Sequence, residues 1–126
     1  MSRVGNEDEI RKCFNSWTKC YNDGNLDGYL EAYADSEKTR YVSGSDIIIG
    51  KEKIKELVHS RGVKGMLSLD TLQIDFISEQ NAICFGQYML QLSKVQYKDM
   101  EYRKGCFTVH LKKIEDQWKI VSDHSS

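Results

Sequence analysis

From Ile10 onward the apolar residues Ile10, Cys13, Phe14, Trp17, Cys20 and Tyr21 recur every three or four positions, the spacing that gathers side chains on one face of an α-helix. Asn6 followed by Glu9 predicts a capping box ahead of that stripe. The helix should close at Asn22-Asp23-Gly24-Asn25, because glycine adopts left-handed backbone at little steric cost. A second, shorter helix is expected next, with Leu26, Tyr29, Leu30 and Tyr33 as its buried stripe and Gly28 weakening its first turn. Between Thr39 and Ile49 the pattern shortens. A Thr-Arg-Tyr-Val run, the turn formers Ser43-Gly44-Ser45-Asp46 and then three isoleucines predict two short strands around a tight turn. A third helix is expected from Gly50 to near Gly62, with Ile54, Leu57 and Val58 as a narrow apolar stripe among lysines and glutamates.

After Met66 the pattern is that of long strands, predicted at 66–78, 82–92, 101–113 and 118–124. The turns fall at Glu79-Gln80-Asn81 and Ile114-Glu115-Asp116-Gln117, with a further reversal between Lys94 and Met100. Helices first and a meander afterwards define an α+β domain, three helices laid against one face of a curved antiparallel sheet. The strands are apolar on both faces. Phe107, Val109 and Leu111 oppose Cys106, Thr108 and His110, while Ile83, Phe85 and Met89 oppose Ala82, Cys84, Tyr88 and Leu90. A half-solvated sheet alternates more cleanly than this, so the second face needs a cover. A two-fold copy of the same sheet is the simplest one, and a homodimer through the sheet face is expected.

The chain has 126 residues, one domain's worth, and residues 1–126 are read as a single domain. Its 18 basic and 19 acidic side chains are mixed without a basic stripe, which argues against nucleic acid as a partner. No apolar run approaches membrane-spanning length and the N-terminus lacks a signal-peptide stretch, so no membrane role and a cytoplasmic location are expected. The four cysteines, Cys13, Cys20, Cys84 and Cys106, show neither Cys-x-x-Cys spacing nor a histidine at ligand distance, and are read as buried free thiols. Neither a metal nor another cofactor is implied, and no Gly-rich phosphate loop is present.

The final stretch, Trp118 to Ser126, reads as a strand that runs into an Asp-His pair. Strict alternation puts Trp118, Ile120, Ser122 and His124 on one face and Lys119, Val121 and Asp123 on the other. The inward stripes then nominate a ligand site made of Trp17, Tyr21, Tyr29, Tyr33, Tyr41, Ser122 and His124. Tyrosine combines a large apolar body with one hydrogen-bonding tip, which suits a pocket of mostly apolar walls and few polar anchors. The same tyrosines would serve equally as core aromatics. His124 is the candidate proton carrier, because imidazole titrates near neutrality, and Tyr41 is the candidate hydrogen-bond donor beside it. Asp123 is assigned to the rim or dimer side unless a bulge turns it inward. Asp70 and Asp75 lie on opposite faces of one strand, and neither is placed in the pocket. His59 reads as solvated, Asp46 as a turn former and His110 as an interface residue. Arg40 and Arg103 also read as solvated, and would hold a carboxylate bidentately if they turned toward the pocket.

The order helix, helix, short hairpin, helix, four long strands carries several short motifs. These are Gly24-Asn25-Leu26-Asp27, Ile47-Ile48-Ile49-Gly50-Lys51-Glu52, Gly105-Cys106-Phe107-Thr108-Val109 and Trp118-Lys119-Ile120-Val121 with the terminal Asp123-His124-Ser125-Ser126. In that order and spacing they resemble the NTF2-like (cystatin-like) superfamily of α+β cones, and more narrowly its SnoaL-like and DUF4440 branches. The resemblance implies a pocket between the concave sheet face and the helices, and dimerisation through the sheet. It leaves function open, because the same cone houses isomerases, cyclases and dehydratases beside binding and association domains. Three readings follow. The first is a homodimeric domain that binds a small, largely apolar ligand; the second is a cofactor-independent acid/base enzyme using His124; the third is a pure association domain with a collapsed pocket.

Overall fold

The computed structural model describes residues 4–92 and 101–126, and among these it has three helices and six strands. Helix α1 spans Val4–Asn22, starting upstream of the expected Asn6; the Asn6 side chain, and the reversal expected between Lys94 and Met100, lie outside the described residues. Gly24 at φ 80 closes the helix as its sequence context requires. Helix α2, Leu26–Leu30, starts at Asn25, whose side-chain oxygen accepts from the Gly28 amide at 3.0 Å. Gly28 is there for space: a Cβ would come within 2.9 Å of Cys20 Sγ and clash with the capping asparagine.

Helix α2 is shorter than the apolar stripe suggested, and Tyr33 lies beyond it. Tyr33 instead forms a parallel bridge with Ile120 of the last strand, with Ile120 donating to the Ala32 carbonyl at 2.7 Å and Ala34 donating to that of Ile120 at 2.8 Å. Those two bonds satisfy backbone groups that a longer helix would have used internally. Strands β1 (Arg40–Ser43) and β2 (Asp46–Ile49) form the expected hairpin, its turn led by Gly44 at φ 57. Helix α3 spans Lys51–Arg61 between Gly50 and Gly62.

Four long strands follow: β3 (Gly65–Ser78), β4 (Asn81–Leu92), β5 (Glu101–Ile114) and β6 (Gln117–Ser125). The sheet order is β2-β1-β6-β5-β4-β3, antiparallel except for the parallel β1–β6 pair that fuses the hairpin to the meander. The helices pack on one face, where Ile10, Phe14, Leu30, Ile54, Leu111 and Trp118 belong to a continuous core. The Asn22 side chain ties the end of α1 to β3, accepting from the Leu67 amide at 2.7 Å and donating to its carbonyl at 2.9 Å. Trp118 Nε1 is buried without a hydrogen-bond partner, a group that costs about 1–3 kcal/mol to leave unpaired. No helix among the described residues is long and apolar enough to cross a membrane.

One irregularity redirects the chemistry. In β6, Ile120 pairs with Leu111 and Ser122 pairs with His110, so Val121 is an extra residue that β5 does not match. A bulge of this kind reverses the facing of everything beyond it. Trp118 and Ile120 face the helices as alternation predicts, but beyond the bulge Asp123 and Ser125 face them as well, while Ser122 and His124 turn to the other side of the sheet. The assignment of His124 and Ser122 to the interior, and of Asp123 to the rim, is therefore reversed.

Candidate functional site

Between the helices and the concave sheet face lies an open cavity of about 550 Å³. Helix α1 lends it Phe14, Trp17 and Tyr21, which the helical period places on one side. Phe14 and Trp17 meet edge to face, ring centroids 5.1 Å apart, and Phe14 continues onto Phe107 of β5 at 6.1 Å. Tyr21, Tyr29 and Tyr33 form a second aromatic row with centroid spacings of 5.4 and 6.2 Å. Tyr41 joins them from β1, directly opposite Asp123 in the parallel β1–β6 register. Of the expected site residues, Trp17, Tyr21, Tyr29, Tyr33 and Tyr41 line this space. Ser122 and His124 do not; His124 is exposed on the far sheet face, and Ser122 there accepts from Arg40 Nε at 3.1 Å.

Asp123 takes the place that alternation had given to histidine. Only 7% exposed, its carboxylate accepts from the Tyr33 hydroxyl at 2.7 Å on Oδ2 and from the Ser125 hydroxyl at 3.3 Å on Oδ1. Burial pushes its pKa above the ordinary aspartate range, and the two hydroxyls and the neighbouring His124 offset part of that rise. Burial also pushes the Tyr33 and Tyr29 phenols up, reinforced by the Asp123 carboxylate beside them, so both stay neutral, with the Tyr33 proton already given to the hydrogen bond with Asp123. Asp123 was missed because a period of two was carried across Val121. No local signal marks the bulge: the adjacent apolar pair Ile120-Val121 has counterparts such as Tyr88-Met89-Leu90 in β4, whose register with β5 is unbroken.

Asp70 and Asp75 on β3 are exposed and do not line the cavity. Arg103, expected in solvent, does line it, along with Tyr88 from the β4 face that also carries Leu90, and with Arg61 and Lys64, neither of which the sequence patterns had singled out. His59 is paired with Asp27 at 3.0 Å on the surface, and His110 Nε2 donates to Asn81 Oδ1 at 3.0 Å on the far sheet face. All four cysteines are free, but only Cys84 is fully buried, and Cys106 is exposed because it lies on the outward face of β5. Among the described residues no group of three or more His, Cys, Asp or Glu side chains could hold a metal ion. What the cavity can do chemically is bind an apolar body, hydrogen-bond it through phenols, and exchange a proton with one carboxyl.

A conical sheet with helices laid across its concave face and an open aromatic cavity between them defines an NTF2-like domain. Residues 10–126 match the model of the SnoaL-like domain, and the chain belongs to that family. Solved structures agree. An NTF2-like protein of unknown function from Shewanella oneidensis is 26% identical, with 95% of this chain and 98% of that chain covered and a TM-score of 0.83. An NTF2-like superfamily protein from Salmonella enterica is 17% identical, with coverage of 99% and 92% and a TM-score of 0.84. A putative scytalone dehydratase from Novosphingobium aromaticivorans shares the fold at 13% identity, with coverage of 98% and 84% and a TM-score of 0.84. No curated protein matches the chain.

Proposed function

We propose that the chain is a single-domain, homodimeric protein that binds a small, largely apolar molecule in the cavity, with Asp123 as its polar anchor. The observation that carries this reading is the Asp123 carboxyl, buried and facing an aromatic cavity of about 550 Å³. A buried carboxyl is costly unless it has a partner or a task, and its two hydroxyl partners leave it acceptor capacity toward the cavity. Such convergence of apolar walls with a few polar groups is the general form of a small-molecule site. The four free thiols fit a reducing, cytoplasmic setting.

A second reading, acid/base catalysis without a cofactor, is favoured by the raised pKa of Asp123, which brings a carboxyl closer to the working range of a general acid or base. Tyr33 would then hold Asp123 and Tyr41 would donate to charge developing on the substrate. The putative scytalone dehydratase of the same fold makes dehydration the first reaction to assay.

Native mass spectrometry of freshly purified protein, looking for a co-purifying molecule, tests the binding reading. Trp17→Ala and Asp123→Asn should each strip that molecule or weaken its binding, by about tenfold for the lost aromatic wall. Retention of the same molecule at full occupancy by both variants would overturn the assignment of the site. For the enzyme reading, Asp123→Asn should abolish turnover of the identified molecule or its analogue while measurable binding persists; undiminished turnover would exclude Asp123 as the proton carrier.

A further inference from the structure

The charges around the cavity are arranged unevenly. Among the described residues that line it, Arg61, Lys64 and Arg103 are cationic, and Asp123 is the single anion. The three cations are exposed and the aspartate is buried, so the positive groups stand at the opening and the negative one in the interior.

The fold brings these cations to one end from three elements. Arg61 is the last residue of α3. Lys64 immediately precedes β3 and is fixed there by its amide, which donates to the Tyr21 hydroxyl at 3.0 Å. Arg103 sits on β5 in the row Leu67–Leu90–Arg103 that crosses three strands, a few residues from the same end of β3. Arg61 keeps a loose surface pair with Asp46 at 3.8 Å, and both side chains are well exposed. A pair of that kind holds little energy and yields readily to a better anion.

We infer that the ligand is an amphipathic organic anion: an apolar, ring-sized body seated against Trp17 and Phe14, with a carboxylate, sulfonate or phosphate held at the mouth by Arg103, Arg61 and Lys64. This rests on the binding reading above and specifies its ligand class. Guanidinium groups take such oxyanions bidentately, and a mouth lined by one sign of charge draws in the opposite sign. The buried Asp123 sets polarity, since it repels the anionic end from the interior and accepts from a hydroxyl or amide on the inner end of the ligand. The orientation is therefore fixed by charge as well as by shape.

Two fluorescent probes with nearly the same aromatic body separate the terms: 1-anilinonaphthalene-8-sulfonate, which carries a sulfonate, and N-phenyl-1-naphthylamine, which does not. The sulfonate probe should bind the wild-type protein with one-to-one stoichiometry per chain and about tenfold more tightly than the neutral one. Its affinity should fall between 20 mM and 500 mM salt, because exposed charges are screened, while that of the neutral probe stays level. Arg103→Gln, and the double variant Arg61→Gln/Lys64→Gln, should each weaken the sulfonate probe several-fold and leave the neutral probe unaffected; Trp17→Ala should weaken both. Equal affinity for the two probes, or no response of the sulfonate probe to either charge variant, would overturn the inference while leaving the binding cavity standing. If neither probe binds, or if Trp17→Ala changes neither affinity, the cavity reading itself fails. Circular dichroism spectra matching wild type show that the variants are folded before affinities are compared.

Discussion

Two opposed effects act on the Asp123 carboxyl. Burial disfavours its charged form, and the hydroxyls of Tyr33 and Ser125 favour it; burial is the larger, so the folded pKa lies above the ordinary 3.8. The native protein therefore holds this proton more tightly than the unfolded chain does. As pH rises through the window from 3.8 to the raised value, the unfolded chain gives up the proton first, and stability falls. The deficit is complete above the folded pKa and absent below 3.8. Asp123→Asn, whose side-chain oxygen still accepts from Tyr33, should accordingly raise the melting temperature at pH 7 by a few degrees. The gain over wild type should shrink on acidification and vanish near pH 3.5, as thermal scans across that range would show; an equal or lower melting temperature at pH 7 would mean that burial does not outweigh the two hydroxyl bonds. Tyr33→Phe acts in the opposite direction. It removes a donor from a buried carboxylate, which should cost about 1.5–3 kcal/mol at neutral pH in a denaturant titration and move the Asp123 pKa further up.

At the scale of elements, the bulge at Val121 decides which chemistry the cavity has. It lies where β6 changes neighbours: up to Ile120 its edge is bonded to the Ala32–Ala34 segment, and from Ser122 onward to β1. An unpaired residue there lets one strand serve two partners with different registers. Deleting Val121 would join Ile120 directly to Ser122 in unbroken alternation, with Asp123 still facing inward. That deletion variant should fold and keep the Asp123 pKa raised, read from its side-chain carboxyl resonance against pH; a return to ordinary aspartate titration would show that the bulge is needed to hold the residue in place. The same bulge explains what could be read from the chain. Helical spacing in α1 and the turn residues at Gly24, Gly44 and Gly62 mark elements through local physics, and so the order of helices and strands and the aromatic half of the cavity were legible. The polar half was legible only in part: Tyr33, Tyr41 and an inward-turning Arg103 could be nominated from the chain, but Asp123 is placed by an irregularity and Arg61 and Lys64 by the meeting of distant elements, which a residue's own neighbours do not reveal.

The whole molecule leaves one broad surface to account for. The sheet face away from the helices carries Met66 and Tyr102, which lie in one cross-strand row and are 58% and 51% exposed, and Phe85 at 45%. Ile83 and Met89 lie on that face too, between polar residues such as Thr108, His110 and Ser122. Apolar and polar groups interleaved across strands suit a surface that is covered by protein for part of its area and bordered by water elsewhere. A second copy of the same face satisfies this by two-fold symmetry, each apolar row meeting its equivalent. The cavity opens on the opposite side of the sheet, so the proposed dimer face and the proposed binding site can be tested by separate mutations. Phe85→Glu places a charge in the middle of the outer face without touching a cavity residue. In equilibrium sedimentation at micromolar concentration the wild-type chain should run as a dimer and Phe85→Glu as a monomer, with the sulfonate probe bound equally by both. A wild-type monomer would leave the exposed apolar residues of β3, β4 and β5 uncovered and end the dimer proposal; a dimer unaffected by Phe85→Glu would move the interface off this face.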